Sequence, residues 1–163
     1  MFKTDRILFP LDYSNVSRAA LSLALQIADR HGSELFMLHV QKDLDRELQR
    51  RIVYAPDESA VEDAIAAEEQ GLREALDLEI QRAADVGVTL RRPHTHLIVT
   101  GGEPLEVVLQ LIEEEQIDLV VTGTHGPKGV LGWLRGSVSQ QLVDKAPCSV
   151  FVVKPQGYPY LRD

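Results

Sequence analysis

The sequence has very little cysteine and no long hydrophobic run. Cys148 is the single cysteine among 163 residues, which excludes an intramolecular disulfide framework. The apolar run that begins at Ile7 is interrupted by Pro10; it is too short to span a membrane and no signal-peptide cleavage pattern follows it. From these absences we expect a cytoplasmic protein that is not inserted in a membrane.

Positive charge is also scarce. The chain has 17 basic and 25 acidic residues, which gives a formal net charge of −8. Arg50-Arg51 and Arg91-Arg92 are the only basic pairs, and no aromatic residues are interleaved with them. Proteins that bind nucleic acid depend on Lys and Arg to neutralise phosphates. We therefore expect no nucleic-acid binding.

What the sequence does contain is an alternation of short apolar runs with helical periodicity, and this predicts strands that alternate with helices. A 163-residue chain of which 44% is hydrophobic fits a single α/β domain. We predict one domain over 1–154, with an open five-stranded parallel sheet covered by helices on both faces. The predicted strands are 7–11, 34–40, 90–99, 117–122 and 148–154; the predicted helices are 14–31, 59–85, one that starts at Pro104, and 137–145.

Two segments lie outside this alternation. Residues 41–58 are charged, contain Pro56 and have no apolar period, which indicates a long loop or a lid. Residues 155–163 contain Pro155, Gly157 and Pro159, and we interpret them as a loose C-terminal tail.

Glycines follow the fourth predicted strand and precede the last predicted helix. They include Gly123, Gly126 and Gly136, and Ser137 follows directly. Such glycines leave room for phosphate oxygens near backbone N–H groups, and the start of a helix favours an anion. The alternatives are that the glycines serve ordinary turns and that Ser137, with Gln140, forms a capping box.

In this spacing the chain resembles the universal stress protein family. ATP-binding members carry Gly, two residues, Gly, nine residues, then Gly and Ser or Thr, and Gly123, Gly126, Gly136 and Ser137 match that pattern. The resemblance extends from the segment Ile7-Leu8-Phe9-Pro10-Leu11-Asp12, through Leu38-His39-Val40, to 146–154. It implies the universal stress protein fold, which is similar to that of the adenine nucleotide α-hydrolases, with strand order 3-2-1-4-5.

The resemblance also implies which residues bind ATP. Asp12 would lie by the ribose, and the backbone of Val40 would contact adenine. Mg²⁺ or Mn²⁺ would be held mainly by the phosphates. The remaining residues implied are Pro10 and Leu11 at the nucleoside, Thr122, Gly123, Thr124 and Gly126 along the ribose and phosphates, and Gly136, Ser137, Val138 and Ser139 at the triphosphate.

The resemblance implies a homodimer that pairs through the last strand, and our first functional hypothesis is a nucleotide-dependent sensor in the stress response, read by an unidentified regulatory partner. The alternative is a dimeric adaptor of the same fold that works without nucleotide. An ATPase is the weakest hypothesis, because no lysine of the Walker type follows the glycines and Asp12 alone does not form a catalytic site. We expect at most slow ATP hydrolysis.

A His-x-His pair stands apart from this motif. His94 and His96 lie in the third predicted strand, where alternation places both rings on one face. Zinc sites need further ligands, and the sequence shows no obvious one. We therefore interpret the pair as a polar strand edge and predict no metal site there.

Overall fold

The computed structural model describes residues 4–41, 58–124 and 138–154. Strands and helices alternate along the chain, as the hydrophobic pattern predicts. The strands are β1 (Arg6–Pro10), β2 (Glu34–Val40), β3 (Thr95–Thr100), β4 (Leu119–Gly123) and β5 (Ser149–Val153). The helices are α1 (Asn15–His31), α2 (Glu58–Asp85), α3 (Pro104–Glu114) and α4 (Val138–Lys145).

The five strands form one parallel sheet in the order β3-β2-β1-β4-β5. The chain therefore builds outward from β1 to β3 and then returns to the other side of β1 for β4. Because parallel crossovers are right-handed, this reversal places the later helices on the opposite face of the sheet. The predicted fold class and strand order are confirmed.

Two hydrophobic clusters lie on the two faces of the sheet, since successive strand residues point to opposite sides. The first cluster joins β1 to α1 and α2 through Ile7, Phe9, Leu21, Leu25, Leu72 and Leu76. The second joins β1 to α3 and α4 through Leu8, Phe36, Val108, Ile112, Val120 and Leu142. Both faces of the central strands are thus buried, which explains their uninterrupted apolar sequences.

β3 is the element that the sequence predicted least well. We expected a strand over 90–99, and the observed strand covers Thr95–Thr100. Pro93 has no N–H to donate to a sheet. Arg91 instead bonds to α1: its backbone N and Nε lie 3.2 and 2.8 Å from Asp29 Oδ1. These bonds hold Arg91 against α1, and the chain is bonded to β2 from His94 on, where Leu35 N donates to His94 O at 2.9 Å.

Helix α1 begins and ends as its sequence predicts. Ser14 is the N-cap, and its hydroxyl oxygen accepts a hydrogen bond from Ser17 N at 3.1 Å. Gly32 ends the helix with φ 69°, in the left-handed region that glycine adopts without strain. Within the described part of the chain, every helix is too short or too polar to span a bilayer.

Candidate functional site

The candidate site lies where the winding of the sheet reverses. β1 pairs with β2 on one side and with β4 on the other. Because their helices leave to opposite faces, a crevice is expected beyond the carboxyl ends of β1 and β4. Ligands of open parallel sheets bind at such points. The structure brings Asp12, after β1, and Gly123, at the end of β4, to this edge of the sheet.

Asp12 is positioned by the turn that leads from β1 into α1. Its Oδ1 accepts a hydrogen bond from Ser14 N at 2.9 Å, and its own N donates to Ser17 Oγ at 3.4 Å. These bonds bend the chain sharply, and Tyr13 takes φ 59° between them. Asp12 is exposed, so its carboxylate is accessible to a ligand in the crevice.

The backbone of Val40 faces the same crevice. Odd-numbered residues of β2 bond to β3: Gln41 N, for example, donates to Thr100 O at 2.9 Å. Even-numbered residues bond towards β1, where Leu38 O accepts from Leu11 N at 2.8 Å. β1 stops pairing at Pro10, opposite Leu38. The N–H and C=O of Val40 therefore point to the side of β1, beyond its last paired residue.

Gly123 is required by the packing of β4 against α1. A Cβ there would lie 2.9 Å from Val16 Cγ1, 3.1 Å from the Val16 carbonyl carbon and 3.2 Å from Ser17 N. The end of β4 therefore lies directly against the first turn of α1. Part of the glycine motif thus has a structural cause.

Three side chains that the sequence did not single out as site residues meet beside the crevice. The Tyr13 hydroxyl donates to Glu68 Oε2 at 3.2 Å, and His39 Nε2 lies 3.9 Å from the same oxygen. The rings of Tyr13 and His39 are 5.0 Å apart, and His39 Nδ1 lies 2.9 Å from Leu11 O. The sequence carries no signal for Glu68, because α2 reaches β2 only through the tertiary fold.

Most of the other predicted residues that the structure describes lie at this edge of the sheet. Pro10 ends β1, Leu11 and Thr122 are buried, and Thr124 N donates to Val153 O at 2.9 Å. Val138 and Ser139 begin α4, and Ser139 is buried. Gly126, Gly136 and Ser137 lie outside the described residues, as do most of 41–58 and all of 155–163.

Sequence comparison links this fold to known proteins. A model of the universal stress protein family matches residues 3–154. A universal stress protein of Thermus aquaticus is 31% identical over 154 residues, which cover 94% of this chain and all of the relative. Universal stress protein YxiE of Bacillus subtilis is 28% identical over 152 residues, with 92% and 99% of the two chains covered.

Solved structures have the same architecture. Universal stress protein UspA of Lactobacillus plantarum has a TM-score of 0.63 and 26% identity, over 93% of this chain and 98% of its own. A universal stress protein in complex with cAMP has a TM-score of 0.61 and 23% identity, over 93% and 97%. One from Archaeoglobus fulgidus in complex with dAMP has a TM-score of 0.53 and 20% identity, over 94% and 100%. The chain belongs to the universal stress protein family.

Proposed function

We propose that this protein binds an adenine nucleotide in the crevice between β1 and β4 and acts as a nucleotide-dependent sensor. The observation that carries the proposal is the joint position of Asp12 and the Val40 backbone at the point where the sheet winding reverses. One supplies an exposed carboxylate, and the other supplies a donor and an acceptor that point beyond the end of β1.

Different observations support binding of the adenosine end and of the phosphate end of the nucleotide. Structural neighbours in complex with cAMP and dAMP share adenine, a sugar and one phosphate, which supports the adenosine end. ATP is favoured by the glycine spacing from Gly123 to Gly136, which provides backbone N–H groups for further phosphates. A bound Mg²⁺ or Mn²⁺ would neutralise phosphate charge.

Asp12 and Val40 each have a chemical role in this proposal. The Asp12 carboxylate accepts hydrogen bonds from ribose hydroxyls, and the Val40 backbone pairs with the polar edge of adenine, which fixes the base without a charged side chain. We expect at most slow hydrolysis of ATP, because Asp12 alone does not form a catalytic site.

The direct test is the variant Asp12→Asn. Asparagine keeps a side-chain oxygen that accepts from Ser14 N, so the turn is preserved while the carboxylate charge is removed. We expect affinity for Mg-ATP to fall roughly tenfold or more, the loss typical of one hydrogen bond to a charged group. Isothermal titration calorimetry measures it. Asp85→Asn, at the far end of α2, is the matched control and binds as the parent does.

Nucleotide carried through purification identifies the ligand. Freshly purified protein is heat-denatured, and the supernatant is chromatographed against ATP, AMP, cAMP and dAMP standards. If no nucleotide is released and calorimetry with Mg-ATP gives no heat of binding, the sensor proposal is overturned and the nucleotide-independent adaptor replaces it. A folded, dimeric Gly136→Trp variant that loses ATP but keeps its partner also favours the adaptor.

Assembly and cellular role belong to the same proposal. β5 forms one edge of the sheet, and Phe151 on it is 51% exposed. An apolar edge strand needs covering, which supports pairing of β5 with β5 of a second copy. The regulatory partner, the stress-response role and the cytoplasmic location follow from the sequence hypothesis and are proposed with it.

A further inference from the structure

A second polar cluster lies at the amino ends of the strands, where β2 and β3 begin, on the side of the sheet away from the candidate site. Glu34, His94 and His96 each offer a potential ligand atom, and these atoms all lie within 4.8 Å of one another. His96 Nε2 is 2.9 Å from Glu34 Oε2, and His94 Nδ1 is 3.6 Å from the same oxygen. The sequence shows only the His-x-His pair; the strand register supplies the third ligand.

The register explains why these three residues meet. β2 and β3 are parallel, with Leu35 opposite Thr95 and Phe36 opposite His96. Leu35 N also donates to His94 O at 2.9 Å. Glu34 therefore starts β2 beside His94, and alternation places both histidines on the same face of the sheet as Glu34.

The spacing suits a small tetrahedral cation. Zn²⁺ binds imidazole nitrogen and carboxylate oxygen at about 2.0–2.2 Å, so neighbouring ligand atoms of a tetrahedron lie about 3.3–3.6 Å apart. Of the separations from Glu34 Oε2, 3.6 Å lies at the upper end of that range and 2.9 Å lies below it. Small side-chain rotations would equalise them around an ion.

The surroundings hold one ring in place and leave the site accessible. The Phe36 ring stacks on the His96 ring, with centroids 4.3 Å apart and planes inclined by 16°. The His94 side chain is 74% exposed, so an ion can enter directly from solvent. The nearby Arg6 guanidinium is directed to Glu115, with Nη1 2.7 Å from Glu115 O.

We propose that Glu34, His94 and His96 form a binding site for one Zn²⁺ ion, or for a first-row divalent cation with the same preference for imidazole. Two histidines and one carboxylate are a known three-ligand set for zinc, with water in the fourth position. Imidazole ligands select Zn²⁺ over Mg²⁺, which prefers oxygen ligands. The site is therefore distinct from any Mg²⁺ held by nucleotide phosphates.

The test uses the full-length untagged chain, stripped of metal and free of nucleotide. Zn²⁺ is titrated in competition with a chromogenic zinc indicator. We expect one Zn²⁺ per chain at this site, and an affinity that falls at least about tenfold in each of His94→Ala, His96→Ala and Glu34→Gln. The matched control is His31→Ala, because His31 is an exposed histidine at the end of α1 outside the cluster. A large excess of Mg²⁺ should not displace the Zn²⁺.

A second measurement separates ligation from a change in folding. Binding to the folded state raises the melting temperature by mass action, so Zn²⁺ should raise it in the parent and in His31→Ala but not in His94→Ala/His96→Ala. The proposal is overturned if the parent does not compete with the indicator, or if the double variant binds Zn²⁺ as tightly as the parent. The proposal is also overturned if His94→Ala or His96→Ala alone binds Zn²⁺ as tightly as the parent.

Discussion

At the scale of single residues, Tyr13 is the most strongly perturbed side chain beside the candidate site. Its backbone is in the left-handed region, and its hydroxyl donates to Glu68 Oε2. Partial burial is the main cause that raises the pKa of Tyr13 to about 12, and the charge and hydrogen bond of Glu68 add to it. All these causes disfavour the phenolate next to a carboxylate.

The raised pKa predicts a loss of stability in alkali. Between the ordinary pKa of 10.0 and about 12, the unfolded chain releases the Tyr13 proton while the folded chain retains it. The stabilising contribution is therefore complete below pH 10.0 and is lost as the pH rises through about 12. The difference in tyrosinate absorbance between the parent and Tyr13→Phe isolates this one phenol during a pH titration.

Glu68→Gln is the comparison for that titration, because it removes the carboxylate charge that contributes to the raised pKa of Tyr13. In this variant the Tyr13 phenol should titrate at a lower pH than in the parent. If the phenol removed in Tyr13→Phe titrated at an ordinary pKa in the parent, Tyr13 would not be paired with Glu68 in solution, and the cluster beside the crevice would be wrong.

At the scale of elements, the contact between β4 and α1 predicts that a side chain at position 123 destabilises the fold. Gly123→Ala places a Cβ 3.1 and 3.2 Å from backbone atoms of Val16 and Ser17, which cannot rotate away. We expect the free energy of unfolding to fall by about 1–3 kcal/mol, as for overpacked sites. Urea denaturation measures this loss.

Gly71→Ala is the matched control for that packing argument. Its new Cβ would approach the Tyr13 hydroxyl oxygen at 2.9 Å, and this oxygen ends a flexible, partly exposed side chain that can move. Alanine is favoured over glycine inside a helix by about 0.5–1 kcal/mol, so this variant should be neutral or more stable. Equal losses in the two variants would contradict the packing difference.

The sequence predicted the strands and helices better than it predicted the contacts between them. Apolar runs and helical periodicity locate the strands and helices, because burial on both faces leaves a strong pattern. The start of β3 could not be found this way, since Arg91 is held by Asp29, 62 residues earlier in the chain. Glu34 and His96 are likewise 62 residues apart, and only the strand register brings them together.

The candidate site was predicted by a different route. Asp12 and Val40 were identified by resemblance, and their geometry depends on a sharp turn and on backbone alternation that composition does not encode. Their ligand roles stay predictions, as do those of Gly126, Gly136 and Ser137. The Tyr13, His39 and Glu68 cluster had no sequence signal, because it forms only when α2 packs over the ends of β1 and β2.

At the scale of the whole molecule, the proposed dimer depends on the edge of the sheet formed by β5. Phe151→Lys places a charge on the exposed side chain of the edge strand, which opposes pairing of two edges. We expect the parent to sediment as a dimer and this variant to sediment as a monomer at the same concentration. Sedimentation velocity measures both.

Val86→Lys is the control for self-association, because Val86 is also apolar and is 77% exposed but follows α2. It should leave the dimer intact. A parent that is monomeric across the concentration range, or a Phe151→Lys variant as dimeric as the parent, would contradict assembly through β5.

The strand order also determines how long after β1 its neighbour β4 is synthesised. β1 is the central strand, yet β4, its partner on one side, is synthesised much later: Arg6 N donates to Asp118 Oδ2, 112 residues further on. At about 5–20 residues per second, translation leaves that edge of β1 without its partner for roughly 6–22 seconds. Until then Ile7, Leu8 and Phe9, three side chains that are fully buried in the finished fold, lack the contacts that β4 supplies. We therefore expect a chaperone that binds apolar segments of nascent chains to bind this one.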